Sequence, residues 1–230
     1  MNIDGNKIFA KLAKNKALII TLFMLFTIRW SFADHYYVPS GSMQPTIEIG
    51  DQVFVNKMAY DIKIPFTNIS LMETNKPKRG EIIVFKYPLD PSINYVKRLI
   101  ALPGDHVQIK DGFVWINGKN ILLNHRDIFH LKRMLAYSND DFNYREKLDD
   151  RTFTVNRKVN RYSGSELSFV VPKNQYFFMG DNRDNSSDGR QWGFVPRSYL
   201  KGRVERVLLS FTMNNLIPEI KFHRIGQRLI

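Results

Sequence analysis

Residues 80–119 read GEIIVFKYPLDPSINYVKRLIALPGDHVQIKDGFVWINGK, and their pattern decides the fold class. Four runs rich in Ile, Val, Phe and Tyr, at 81–87, 93–100, 106–110 and 113–116, are separated by Pro88, Asp90-Pro91, Pro103-Gly104 and Asp111-Gly112, and Asn117-Gly118 closes the series. Proline removes a backbone donor and glycine supplies positive φ, so short apolar runs cut at this spacing predict consecutive β-strands. Outward from this stretch, residues 52–58, 166–171, 175–179 and 203–211 have the same character, with Pro65, Pro77 and Gly80 as breakers. The prediction is a mainly β protein. Residues 120–165 differ, being polar and rich in Arg, Asn and Asp with scattered aromatics, and read as an insertion or small second lobe. The body therefore divides into core residues 34–119, the variable stretch 120–165, and core residues 166–230. With 43% hydrophobic and 13% aromatic residues in 230, a sizeable core can form and disorder along the whole chain is excluded.

Residues 1–33 stand apart. After Lys7, Lys11, Lys14 and Lys16, residues 17–32 (ALIITLFMLFTIRWSF) are apolar except for two threonines, one serine and Arg29. As a helix this run spans about 24 Å at ~1.5 Å per residue. A bilayer core of ~30 Å is then bridged with help from the flanks, where Lys16 and Arg29 can snorkel and Trp30 suits the interface. One transmembrane helix is predicted, with the N-terminus in the cytoplasm because the lysines precede it. Two other readings stand beside it: a cleavable signal peptide ending at the small-x-small site Ser31-Phe32-Ala33, and a buried soluble helix. The formal charge of +12 fits either nucleic acid or an anionic membrane surface, and the apolar run selects the membrane. The absence of cysteine excludes thiolate nucleophiles, disulfides and Cys-based metal sites. No repeats, phosphate-cradling glycine patterns or zinc-finger spacings occur. His125 and His130 are the closest of the five histidines and read as surface residues.

Three segments can carry chemistry. In Pro39-Ser40-Gly41-Ser42-Met43-Gln44-Pro45-Thr46, the prolines and glycine force a tight path that presents Ser42. On its own this is also the composition of a plain linker. In Ile93-Asn94-Tyr95-Val96-Lys97-Arg98-Leu99-Ile100, strand alternation puts Tyr95, Lys97 and Leu99 on one face. A lysine on a half-exposed strand is ordinarily a surface residue. If buried, its pKa falls and a neutral amine becomes able to take a serine proton. Residues 180–193, GDNRDNSSDGRQWG, are dense in short polar side chains and predict a loop knitted by side-chain to backbone hydrogen bonds. Composition alone does not separate a structural knot from a catalytic loop.

In this order the three motifs, PSGSM-x-PT just after an apolar run, YVKR-x-x-x-LPGD, and GDNRDNSSDGRQWGFVP, resemble the bacterial type I signal peptidase family. The resemblance covers roughly residues 32–114 and 173–206. The C-terminal IKFHRIGQRLI looks like the family's basic ending, and for 120–165 the resemblance claims no match. The resemblance implies a β-rich catalytic core with a variable second lobe, embedded at the bilayer surface on the outer, periplasmic side of the bacterial inner membrane. It implies a serine endopeptidase with Ser42 as nucleophile and Lys97 as general base, needing no cofactor, histidine or metal. The Ser42 backbone N–H and the Ser40 hydroxyl would form the oxyanion hole, Ser186 would hold the Lys97 amine, and Asp188 and Arg190 would buttress the loop. Met43 would help line substrate pockets and the membrane-facing surface.

The implied substrates are N-terminal signal peptides of translocated preproteins, and the implied second partner is an anionic phospholipid membrane rather than nucleic acid. Gly189 stands where many relatives have Ser, Gln191 where an aromatic is common, and Gln44 where Met or Glu is frequent. A single span and a short insertion, where many relatives have two spans and a larger lobe, leave room for a specialised enzyme such as one processing a conjugation-system pilin. The self-cleaving Ser–Lys repressors are a rival class. They carry a DNA-binding module, whereas here an apolar run precedes Ser42. A non-enzymatic anchored binding module is the third class, and it would make Lys97 dispensable.

Overall fold

The strand Ile82–Tyr87 (IIVFKY) opens with four apolar residues in a row because both of its faces are covered. Ile82 and Val84 point into one core with Val53, Val55, Val204 and Val207, while Ile83 and Phe85 point into another with Tyr60, Leu99, Phe178 and Leu200. On its two edges it pairs antiparallel with Asp90–Ala101 and with Leu200–Asn214. These belong to an eight-stranded sheet in the order Ala33–Tyr37, Asp51–Asn56, Leu200–Asn214, Ile82–Tyr87, Asp90–Ala101, Gln175–Met179, Val195–Pro196, with Ile217–Ile220 on the far part of Leu200–Asn214. The description rests on a computed structural model and covers residues 15–18, 20, 21, 24, 32–64, 69–124, 141–158, 166–214 and 217–229.

A four-stranded sheet built on His106–Lys110 and Phe113–Ile116 adjoins it, with Leu167–Val170 and Lys119–Asn120 at its edges. Between the sheets lies a third core of Ile100, Val107, Phe113, Phe153, Phe177 and neighbours. The mainly β expectation holds. All eight expected strands form, and the differences lie at their ends and in what was not foreseen. The expected strand 52–58 stops at Asn56, whose side chain accepts the Met58 N–H and starts a 3-10 turn, Lys57–Ala59. Asp90-Pro91, read as a breaker, opens the Asp90–Ala101 strand instead, at its exposed end where a proline costs no ladder hydrogen bond. Within the stretch 120–165, Phe142–Leu148 and Arg151–Arg157 pair as a hairpin. Its Tyr144, Leu148, Phe153 and Val155 enter the third core.

Among the described residues no helix is long and apolar enough to cross a membrane. The segment 17–32, read from sequence as a membrane helix, falls largely outside the described residues, as do His125 and His130.

Candidate active site

Three pieces of chain converge around Lys97 of the Asp90–Ala101 strand, a member of the main sheet. The first is the 3-10 turn Gly41–Met43, which joins the strands Ala33–Tyr37 and Asp51–Asn56. Its anchor is Met43, fully buried among Val38, Ile47 and Val53. The resemblance put Met43 on a pocket or membrane-facing surface; in the structure its side chain is a core residue, because the turn needs one apolar side chain to hold it down. Ser42 is 8% exposed, and its Oγ lies 3.4 Å from Ser40 Oγ.

The second piece supplies Lys97. The strand carries it beside Ile83 of the neighbouring strand, and only 4% of it reaches solvent. Its Nζ lies 2.6 Å from Ser42 Oγ and 5.2 Å from the centre of the Tyr95 ring, in keeping with the alternation read from sequence. Burial pushes the Lys97 amine down to about 8, against the pull of the Asp188 and Asp181 carboxylates toward the charged form. Ser42 and Lys97 both line a cavity of about 380 Å³ whose walls include Tyr36, Val38, Val53 and Val84.

The third piece is the loop that follows Gln175–Met179, a strand paired with the Lys97 strand at Met179 and Arg98. Asp188 is fully buried and accepts from Gly180 N–H at 2.9 Å and from Arg190 Nε and Nη2 at 2.8 Å each. Asn182 N–H donates to the Ser42 carbonyl at 3.1 Å, and Asn182 Nδ2 to the Gly41 carbonyl at 3.1 Å, so the loop grips the serine turn directly. The side chain of Ser186 is placed beside Gly180, and its buried Oγ meets no hydrogen-bond partner.

Several members of this network have a role that the sequence alone does not assign. Arg98, wholly buried, is bidentate to Asp181 at 2.7 and 2.6 Å, and Asp181 also accepts from Thr46 Oγ1 at 2.5 Å. This ties the serine segment, the lysine strand and the polar loop through one carboxylate. Removing either partner of such a pair leaves a buried charge alone, at a cost of about 3–5 kcal/mol. Arg183 makes a second buried bidentate pair with Glu146 of the 142–157 hairpin. The adjacency of Lys97-Arg98 and Gly180-Asp181 was the available clue, since each charge lies next to a residue already singled out.

A buried hydroxyl against an amine of lowered pKa, beside an apolar groove, is a constellation that peptide hydrolases use. The chain belongs to the signal peptidase family, peptidase S26, whose family model matches residues 11–209. It is a serine endopeptidase, a hydrolase of the signal peptidase I type. Signal peptidase I of Buchnera aphidicola subsp. Schizaphis graminum is 36% identical to it over 91% of this chain and 79% of that protein. Signal peptidase I of Pseudomonas fluorescens is 33% identical over 92% and 77% respectively. A crystal structure of a signal peptidase I from Enterococcus faecalis V583 is 30% identical, covering 56% of this chain and 97% of that one with a TM-score of 0.36. The family resemblance drawn from the three ordered motifs therefore holds.

Proposed function

We propose that this chain is a membrane-anchored signal peptidase that removes N-terminal signal peptides from translocated preproteins by a Ser42–Lys97 dyad. The observation that carries the reading is the 2.6 Å contact between Lys97 Nζ and Ser42 Oγ in a place where burial lowers the pKa of the amine to about 8. Neutral Lys97 takes the proton of the Ser42 hydroxyl as Oγ attacks the scissile carbonyl carbon. The oxyanion so formed accepts from the Ser42 backbone N–H and the Ser40 hydroxyl, donors of a kind whose loss costs a few kcal/mol each. The Lys97 ammonium then gives its proton to the leaving amine, and the mature chain departs. An ester between Ser42 Oγ and the signal peptide remains. Water, deprotonated by Lys97, attacks that ester and restores the hydroxyl.

Asp188, Arg190 and Asp181 hold the loop and the turn in register rather than touching the reacting atoms. Residues 1–33 are the cytoplasmic segment and anchor, 34–119 and 166–230 form the catalytic core, and 120–165 is the variable insertion. The catalytic body sits on the outer face of the bacterial inner membrane, close to an anionic lipid surface that suits the charge of +12. Anchoring the enzyme where signal peptides lie turns a search through volume into a positioned encounter. Cleavage of a model preprotein by wild type and by Ser42→Ala is the test. Loss of cleavage in a variant with an unchanged circular dichroism spectrum is expected, and retained cleavage would overturn the assignment.

A further inference from the structure

The hairpin Phe142–Leu148 with Arg151–Arg157 belongs to the part of the chain that the motif resemblance leaves uncovered. Along Phe142–Leu148 the side chains alternate outward and inward, with Tyr144, Glu146 and Leu148 inward. Tyr144 and Leu148 join the third core, whereas Glu146, in the same row, meets Arg183. Both side chains of this pair are 1% exposed. Glu146 Oε1 accepts from Arg183 Nη1 at 2.6 Å, and Oε2 accepts from Nη2. Two desolvated charges paired in this bidentate geometry fix each other's position.

From Arg183 the constraint passes to the serine. Arg183 Nε donates to the Gly180 carbonyl at 3.2 Å, and the Arg183 carbonyl accepts from Arg190 Nη2. The Gly180 backbone is thus held at its carbonyl by Arg183 and at its N–H by Asp188. Gly180 packs so closely on the serine turn that an added Cβ would stand 2.4 Å from the Ser42 carbonyl oxygen. The hairpin grips the same loop twice more. Asn156 N–H donates to the Asp181 carbonyl at 2.8 Å, and Arg157 Nε reaches Asp184 at 3.3 Å.

We propose that Glu146 is a positioning residue for the reaction: through Arg183 it fixes the Gly180–Asn182 backbone against which Ser42 is set before Lys97. The inference rests on the reading of Ser42 and Lys97 as the reacting pair, and it gives the hairpin of the variable stretch a part in turnover. A displacement of about 1 Å at the serine is enough to lower the rate by as much as 10²-fold, so a hairpin that never meets substrate can govern kcat.

The test uses the full-length enzyme and a model preprotein, with kcat and KM measured well below each protein's unfolding midpoint. Glu146→Gln should lower kcat by at least about 10-fold while KM stays within about threefold. The double variant Glu146→Met/Arg183→Met buries no unpaired charge, so its unfolding midpoint should return to near that of wild type while its kcat stays low. This second variant decides the matter if Glu146→Gln does not fold. A wild-type kcat in either folded variant would reduce the pair to a stabilising contact and overturn the inference. Ser42→Ala runs alongside. If it is inactive while the Glu146 variants turn over normally, only this inference fails; if it cleaves normally, the dyad reading fails and takes this inference with it.

Discussion

A lysine amine 2.6 Å from a serine hydroxyl and almost wholly out of water has lost the hydration that keeps ordinary lysines charged. The rate of preprotein cleavage should therefore rise with pH through about 8, as Lys97 gives up its proton. Changing His35, His106 or His223 to Ala should leave that limb in place, and its loss in any one of them would break the histidine-free scheme. The same shift acts on stability with a definite sign. Folded Lys97 titrates near 8 and unfolded lysine near 10.5, so between these values the unfolded chain holds more protons and stability rises with pH. At ~1.36 kcal/mol per unit, the buried lysine costs up to about 3 kcal/mol below pH 8. Lys97→Met should be inactive yet more stable than wild type by as much as that at neutral pH, with the gain shrinking toward pH 10.5; urea unfolding at several pH values measures it. Lys97→Arg should be inactive at every pH of the assay, because a guanidinium does not deprotonate there. At this scale Ser42 and Lys97 were legible because each sits in an ordered motif. The Arg98–Asp181 and Arg183–Glu146 pairs were not, because partners 83 and 37 residues apart leave no periodic trace in sequence.

Among the elements, the strands that the sequence revealed are those whose faces alternate or are wholly apolar. Phe142–Leu148 does not read as a strand for a physical reason: one of the four residues in its inward row is Glu146, so the row that should read apolar carries a charge. Nor does Ala33–Tyr37, because an apolar run precedes it and its own exposure is mixed, yet it pairs through its whole length with Asp51–Asn56. The polar loop was foreseen as knitted, and Asp188 and Asn182 do the knitting, whereas Ser186, expected to hold the amine, has a hydroxyl without a partner. Gly180 shows how tightly element meets element. A Cβ there would lie 2.3 Å from Ser186 Oγ and 2.4 Å from the Ser42 carbonyl oxygen, and the second of these is backbone that cannot rotate away. Gly180→Ala should push loop and turn apart, lowering kcat by roughly 10- to 100-fold with the overall fold kept. Cleavage kinetics beside a circular dichroism spectrum would check this, and a wild-type kcat would mean that the turn can yield without loss of register.

For the molecule as a whole, the proposed topology joins charge, chain length and the first strand. Lys7, Lys11, Lys14 and Lys16 precede the apolar run 17–32, and positive flanks stay in the cytoplasm. Ser42 lies nine residues beyond Ala33, at most ~32 Å of extended chain, so on the proposed topology Ser42 would work close to the outer membrane surface. The sequence alone left a risk, since Ser31-Phe32-Ala33 is a site that an enzyme of this class could cut in itself. The first strand argues against that outcome. Ala33 pairs with Asn56 and Asp34 with Val55, so the bond after Ala33 is part of a ladder whose other edge carries Leu200–Asn214. A protease needs its substrate as a free extended strand, and freeing this one means unpairing the first residues of the edge strand from Asp51–Asn56, a local opening that must precede any cut. The anchor should therefore stay attached. Protease added outside intact spheroplasts should digest the catalytic body, and membranes washed with alkaline carbonate should keep the full-length chain. Recovery of a soluble protein beginning at Asp34 would show that the ladder opens far enough to be cut, and would replace the anchored enzyme by a released one while leaving the chemistry of Ser42 and Lys97 to its own tests.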